Sequence, residues 1–338
     1  MSMAIATEHR QSAADVSDGR REVSALLAGC GVYRLDHGLF SLAGRDRVRW
    51  LNGMVSNNIR DLAAGHGVYA FVLNAQGNIQ GDLYAFNRGE TLVLEIDRAQ
   101  VETLMPLLRR YIIMDKVEVE DLGGKLAVIG IAGPKSREFL AGVGVQPGEM
   151  QPLQLTEVNW NGTTITLVRG DNPSVENFEL WVAADKLESV SAALQQAGAV
   201  AVQEETLETF RILCGIPQFG QDMRERTLPQ ETGQERALSF TKGCYIGQEI
   251  VERIRARGSV HRAFVGFEVD GPAPSAGTKV QYEGKDVGEI TSITSAPLKQ
   301  KRLALGYLRK EVMEPGRAFP AGEATVKAVS LPFNGIFT

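Results

Sequence analysis

The chain has 338 residues, 43% hydrophobic and 23% charged, with a formal net charge of −5. That length is too great for one ordinary core and predicts two or three domains of a soluble globular protein. The acidic balance speaks against a general nucleic-acid binder. The cysteines, Cys30, Cys214 and Cys244, are scattered and odd in number, so they supply no disulfide framework or CxxC metal site and fit a reducing compartment.

Residues 1–18 are polar and Ala/Ser-rich without an apolar h-region, and are expected to be a disordered tail rather than a signal peptide. No stretch approaches the roughly 20 apolar residues that cross a bilayer, so a cytoplasmic location without a membrane partner is expected. A first domain over 19–124 reads as mixed α and β. Gly67–Leu73 and Ile79–Phe86 are strands around the turn Asn74–Gly77, a third strand covers Thr91–Ile96, and Asp97 caps a helix carrying Val101, Leu104, Met105 and Leu108. A middle domain over 125–262 opens with the strand Lys125–Ile131, and Pro134 suits the first position of a helix. Strands at Thr163–Val168 and Phe178–Val182 follow, then helices at Ala184–Gln196 and Glu204–Cys214. From 263 to 338, short β-type runs between Gly and Pro turns predict a small antiparallel barrel or sandwich.

The densest chemistry lies in Lys242-Gly243-Cys244-Tyr245-Ile246-Gly247-Gln248-Glu249. Ile246, Ile250, Val251 and Ile254 follow a helical stripe, which places Cys244 on the loop entering a helix, where the helix dipole and Lys242 would favour a thiolate. Asp82 shares a strand face with Gln80, Tyr84 and Phe86, and Gly81 beside it permits close approach of another backbone or a flat ligand. Arg211 lies on the apolar face of its helix with Leu207 and Cys214, a costly place for a guanidinium unless it meets a carboxylate or an anion. Glu179 stands at the start of an apolar strand. The basic run Arg253, Arg255, Arg257, His261 and Arg262 reads as a solvated face, or as a receiver of a polyglutamate tail, a phosphate or RNA. No GxGxxG follows a strand, no HExxH is present, the four histidines are dispersed, and no permanently bound metal is expected.

In order, these segments resemble one superfamily. Lys242–Glu249 resembles the K-G-C-[YF]-x-G-Q-E signature of YgfZ-type proteins, relatives of the glycine-cleavage T-protein, a folate-dependent aminomethyltransferase. Gly77–Leu83 resembles the T-protein's G-x-I-x-D-D-L strand, Phe178-Glu179 its G-E-D-G-F-E segment, Leu207–Gly215 its L-R-L-E-A-G helix, and Val287–Ser292 its V-G-x-V-T-S strand. The resemblance implies an α+β protein with a three-domain cloverleaf: two mixed α/β domains with antiparallel sheets and a C-terminal β-barrel around a tetrahydrofolate site. It assigns Asp82, with Tyr84 beside it, to the reacting nitrogens, Glu179 to the pterin edge, and Arg211 to anchoring or shaping the site. It further implies a folate-binding accessory protein that partners iron-sulfur assembly factors or client enzymes, including those that modify tRNA, with Cys244 as working thiol. The alternative it carries is aminomethyl transfer. Gly81-Asp82 stands where the T-protein has two aspartates, and Ser174–Asn177 lacks the glycines of its G-E-D-G segment, so part of the transferase acid cluster is expected to be missing.

Overall fold

The computed structural model describes residues 13–258, 260–298, 300–333 and 335. Residues 1–12 of the expected tail lie outside the described residues. Residues 13–18 are not tail, because helix α1 (Ala13–Ala28) begins there. Its far end is anchored: Leu26 packs with Val202 and Phe210, and Glu22 Oε2 accepts from the Gln203 amide at 2.9 Å. Once such an end is docked, each further turn adds a hydrogen bond at little cost.

Strands β1 (Gly31–Leu35) and β2 (His37–Ala43) are separated only by Asp36, yet they enter different sheets. After α2 (Arg47–Met54) come β3 (His66–Leu73), β4 (Ile79–Asn87), β5 (Leu92–Asp97), α3 (Arg98–Arg109) and β6 (Glu118–Asp121). The expected meander is present, and with β2 it makes an antiparallel five-stranded sheet in the order β3-β4-β5-β2-β6. Asp97 caps α3 as expected, its side chain accepting from the Ala99 amide at 2.9 Å.

The second sheet is built from β7 (Leu126–Ala132), β8 (Leu155–Trp160), β9 (Thr163–Arg169), β10 (Asn177–Ala183) and β11 (Val200–Ala201), with helices α4 (Ser136–Gly142), α5 (Leu187–Gln196) and α6 (Glu204–Cys214). Its order is β11-β1-β7-β10-β9-β8, antiparallel except for the β1–β11 pair. Strand β1 thus crosses from the first part of the chain into this sheet. Pro134 sits in the turn before α4, which starts at Ser136, and residues 184–186 form a separate 3-10 turn ahead of α5. After α7 (Gln248–Arg257), strands β12 (Arg262–Asp270), β13 (Lys279–Tyr282), β14 (Lys285–Ile293), β15 (Arg302–Arg309), β16 (Ala318–Ala321) and β17 (Ala324–Val329) close into a six-stranded barrel.

The two sheets face each other through Leu39, Phe86, Val93, Val128, Val168 and Trp181. Phe86 and Trp181 meet edge to face with centroids 5.2 Å apart, the arrangement their quadrupoles favour. Helix α6 fills the remaining junction. Phe210 and Cys214 pack toward α1 and the second sheet, while Ile212 and Leu213 pack on Leu303 and Leu305 of the barrel. The second sheet, with α1, and the barrel therefore meet on one helix. Because Trp181 is fully buried between the sheets, Trp181→Ala should lower unfolding stability by about 3–5 kcal/mol. Urea denaturation measures this, and a loss below about 1 kcal/mol would show that the sheets stay joined without it.

Candidate functional site

At the meeting point of β4, β5, β2 and the segment after α6 lies a cavity of about 160 Å³. Its wall includes His37, Asp82, Tyr84, Glu95, Asp97 and Arg211. Asp82 is held at both carboxylate oxygens. Tyr69 Oη donates to its Oδ2 at 2.6 Å and Gln100 Nε2 to its Oδ1 at 2.8 Å, while its own amide donates to Gln100 Oε1 at 3.1 Å. Burial pushes the Asp82 carboxyl above its ordinary value, against the pull of these hydrogen bonds. Of the two uses expected for Gly81, the structure shows the close approach of a neighbouring element and not of a ligand. A Cβ there would lie 2.9 Å from both Gln100 Oε1 and Leu104 Cδ1, so the glycine admits helix α3, not a ligand.

Tyr84 lines the same cavity, its hydroxyl donating to Asp171 Oδ1 at 3.1 Å. Arg236 crosses this end, its guanidinium 4.3 Å from the Tyr69 ring centroid and ion-paired with Asp171. On the opposite wall Arg211 uses all its N–H groups within the protein. Nε and Nη2 donate to Glu208 at 2.7 Å, Nη1 to Asp222 Oδ2 and the Ile216 carbonyl at 2.6 Å, and Nη2 to Ser292 Oγ at 2.8 Å. The inward guanidinium has met carboxylates, as its position on α6 requires.

Glu179 is not on the cavity wall and reaches it through Glu95. Trp181 Nε1 donates to Glu179 Oε2 at 3.2 Å, and the Glu179 carboxyl contacts that of Glu95. Burial, then repulsion from Glu95, raises Glu179 well above the usual carboxylate range. Tyr33 reaches the same place by lying over Gly130, whose missing Cβ would fall 2.2 Å from its ring. His37 Nδ1 is 2.6 Å from Glu95 Oε1. Burial alone would lower the imidazole, but the hydrogen bond and charge of Glu95, with Glu179 and Asp97 beyond, raise it to about 9. Neither His37 nor Glu95 was singled out by sequence reasoning. The available signal was a charge inside the apolar run Leu92–Ile96. Asp82, Glu95 and Asp97 together line one cavity, so acidity absent beside Asp82 is supplied from β5.

The octapeptide lies elsewhere. Cys244 is exposed and is not among the cavity's lining residues. It sits in the loop before α7, which begins only at Gln248. Lys242 turns away from the thiol: its buried Nζ donates to the carbonyls of Asn52, Val55 and Asn57 at 2.6, 2.6 and 2.7 Å. Burial, then the Arg60 charge, pushes Lys242 down to about 7, whereas three carbonyl acceptors hold the protonated form. Gly247 has φ +84°, and a Cβ there would lie 2.6 Å from the Asn74 carbonyl oxygen; a Cβ at Gly77 of the same β3–β4 turn would lie 2.8 Å from Ile250 Cβ. Gly243 lies against the Arg60 guanidinium, and Tyr245 is buried with Tyr69, Phe71 and Met223. The Gln248 amide donates to the Tyr245 carbonyl at 3.2 Å, and Glu249 pairs with Arg253 on the surface of α7. Most of the motif therefore serves to fasten the loop. The basic run is largely compensated, with Arg253, Arg255 and Arg262 paired to Glu249, Glu252 and Glu231. Arg257's side chain lies outside the described residues. Among the described residues no group of three His, Cys, Asp or Glu could hold a metal ion, and no helix is long and apolar enough to cross a membrane.

The His37–Glu95 contact fixes a pH dependence of stability. His37 binds its proton more tightly in the folded chain than its ordinary value of 6.5 allows, so this contribution is complete below about pH 6.5 and fades as pH rises toward 9. The raised Glu179 acts with the same sign. Urea midpoints should fall over this window in the wild type and fall less in His37→Gln; parallel curves would remove His37 as the cause.

The GCVT N-terminal domain model matches residues 5–242, and the model of the glycine cleavage T-protein C-terminal barrel domain matches residues 262–333. An aminomethyltransferase of Thermus thermophilus is 26% identical over 315 residues, covering 91% of this chain and 88% of its own length. One from Rippkaea orientalis is 28% identical over 312 residues, covering 87% and 82%. The crystal structure of the glycine cleavage system aminomethyltransferase T from Bartonella henselae superposes with a TM-score of 0.82 at 19% identity, over 93% of this chain and 89% of that one. The two family models together match most of the chain, which belongs to the glycine-cleavage T-protein family.

Proposed function

We propose that this protein binds a tetrahydrofolate in the acidic cavity and takes part in one-carbon transfer of the aminomethyltransferase type, with Asp82 as the residue at the reacting centre. The observation that carries this reading is Asp82 itself, held by Tyr69 and Gln100 in an enclosed wall with Glu95 and Asp97. The residues suit the group. Ligand sites usually span about 300–1,000 Å³, so a cavity of about 160 Å³ admits a ring-sized head group. Glu95 Oε2, buried without a donor among the described residues, is an acceptor for a ring N–H. Tetrahydrofolate, when bound, would supply the nitrogen that carries the one-carbon unit. The carboxylates favour positive charge developing beside them. Asp82, its pKa raised by burial, can accept or hold a proton near neutrality better than an exposed aspartate. Tyr84 and Arg236, both on the cavity wall, are tied together through Asp171. Asp82→Asn should keep folate binding within about tenfold while cutting folate-dependent release of ammonia from an aminomethyl donor by about 100-fold or more. Unchanged turnover in that variant would remove Asp82 from the chemistry.

A second reading is favoured by the exposure of Cys244 on a braced loop outside the cavity. In it the protein is a folate-binding accessory factor for iron-sulfur cluster assembly or repair, with Cys244 as redox partner, transient ligand or covalent acceptor. Cys244→Ala should then leave melting temperature and folate affinity unchanged while failing to restore iron-sulfur enzyme activities, including tRNA modification, in a deletion strain. Full complementation would eliminate the thiol from the function.

A further inference from the structure

A line of polar groups crosses the interface of the two sheets. Trp181 Nε1 donates to Glu179, the Glu179 carboxyl contacts that of Glu95, and Glu95 Oε1 holds His37 Nδ1. Glu95 is 1% exposed, and its Oε2 has no hydrogen-bond partner among the described residues. Two ionised carboxylates touching away from water repel each other, and a buried acceptor without a donor is costly in its own right. One proton between them removes both costs. Glu179 then donates an O–H to Glu95 Oε2, and every oxygen in the line that faces a neighbour has a hydrogen to face.

We infer that Glu95 and Glu179 share one proton in the ligand-free protein, clamped by His37, and that a flat heterocycle presenting an N–H edge binds by displacing it. The displacement half rests on the folate reading above. The balance is simple. The O–H bond of the pair breaks, its proton passes to the solvent buffer, and the freed carboxylate oxygens accept ring N–H groups. No electrons move, and the pair becomes one unit more negative beside the His37 imidazolium. His37 is a positioning residue here: it fixes Glu95 Oε1 so that Oε2 is the oxygen left for the shared proton.

The groups around the pair favour holding the proton until a ligand arrives. Asp82 from β4 and Asp97 at the end of β5 add negative charge, while Tyr33 from β1 and Tyr84 from β4 are kept neutral by burial. The Arg211 and Arg236 guanidiniums, both on the cavity wall, act in the opposite sense but are already paired with Glu208, Asp222 and Asp171. Proton release therefore has to be driven by the ligand's donors.

Calorimetric titration of 5-formyltetrahydrofolate into the full chain, near pH 7 in phosphate and in Tris, should show a buffer-dependent heat equal to about one proton released per ligand. Glu95→Gln should bring that number close to zero. As pH rises toward neutrality the wild-type affinity should tighten about tenfold per pH unit, because binding releases a proton, and this slope should flatten in the variant. In the ligand-free wild type, carboxyl carbon NMR should show a glutamate titrating far above the ordinary range. Binding without buffer-dependent heat would overturn the displacement, and absence of a high-titrating glutamate would overturn the shared proton. If the high-titrating glutamate is present but the wild type takes up no folate, the folate reading fails, the displacement falls with it, and the shared proton stands.

Discussion

The ion pair of Arg211 with Asp222 is the contact on which the placement of helix α6, the loop after it and the barrel depends. Asp222 is 1% exposed and accepts from Arg211, the Gln218 amide, Ser292 and Thr291. Arg211 comes from α6, Asp222 from the loop after it, and Thr291 and Ser292 from barrel strand β14. A buried pair of this kind adds little net stability compared with apolar packing, because desolvation offsets its attraction. Its value is geometric. The fixed fork of the guanidinium and the two oxygens of the carboxylate admit one relative placement of helix, loop and barrel. Loss of either partner would strand a charge at the centre of the molecule.

With that junction set, the cavity forms where apolar packing between the two sheets gives way to polar groups. Phe86 and Trp181 seal the interface, and along the same faces the side chains become Tyr84, Glu95 and Glu179. The alternation of strands explains this sequence of environments. On β5, Leu92, Leu94 and Ile96 face the core of the first domain, so Val93, Glu95 and Asp97 must face the second sheet or the cavity. A strand buried on both faces thereby delivers carboxylates to a place water scarcely reaches. Low polarity there strengthens each surviving hydrogen bond and penalises each unpaired one.

Much of the frame was legible in the sequence because it rests on local pattern. The hairpin around Asn74–Gly77, the Asp97 cap and the helix Glu204–Cys214 all follow from alternation, capping and helical period within a few residues. Strands β1, β2, β6, β8, β11, β16 and β17 were not anticipated; β6, β11 and β16 are short, and the β1–β11 parallel pairing joins residues far apart in the chain. The site divided along the same line. Asp82, Tyr84 and Arg211 announce themselves by charge or ring on a patterned face, and the structure brings all three to one cavity. Glu95 and His37 depend on two sheets closing over each other, which no single segment encodes. Gly81 shows the limit from the other side. Its sequence context allowed a ligand, and only the approach of Gln100 shows that the space belongs to α3.

The octapeptide changes meaning when its neighbours are known. Gly247 in the left-handed region packs against the β3–β4 turn, Lys242 ties the loop to the end of α2, and Ile246 donates its amide to the Gly53 carbonyl at 3.2 Å. Three separate fastenings hold the backbone on either side of Cys244 while leaving the side chain in solvent. A buried structural cysteine needs the reverse, a side chain enclosed by apolar neighbours, as Cys214 has. Tyr245 supplies the mechanical link inward, since it shares a cluster with Tyr69, the residue that donates to Asp82. The loop is thus stiff where it meets the cavity's supporting wall and open where the thiol stands. That shared cluster joins the loop to the residues behind Asp82, although no side chain of the octapeptide lines the cavity itself.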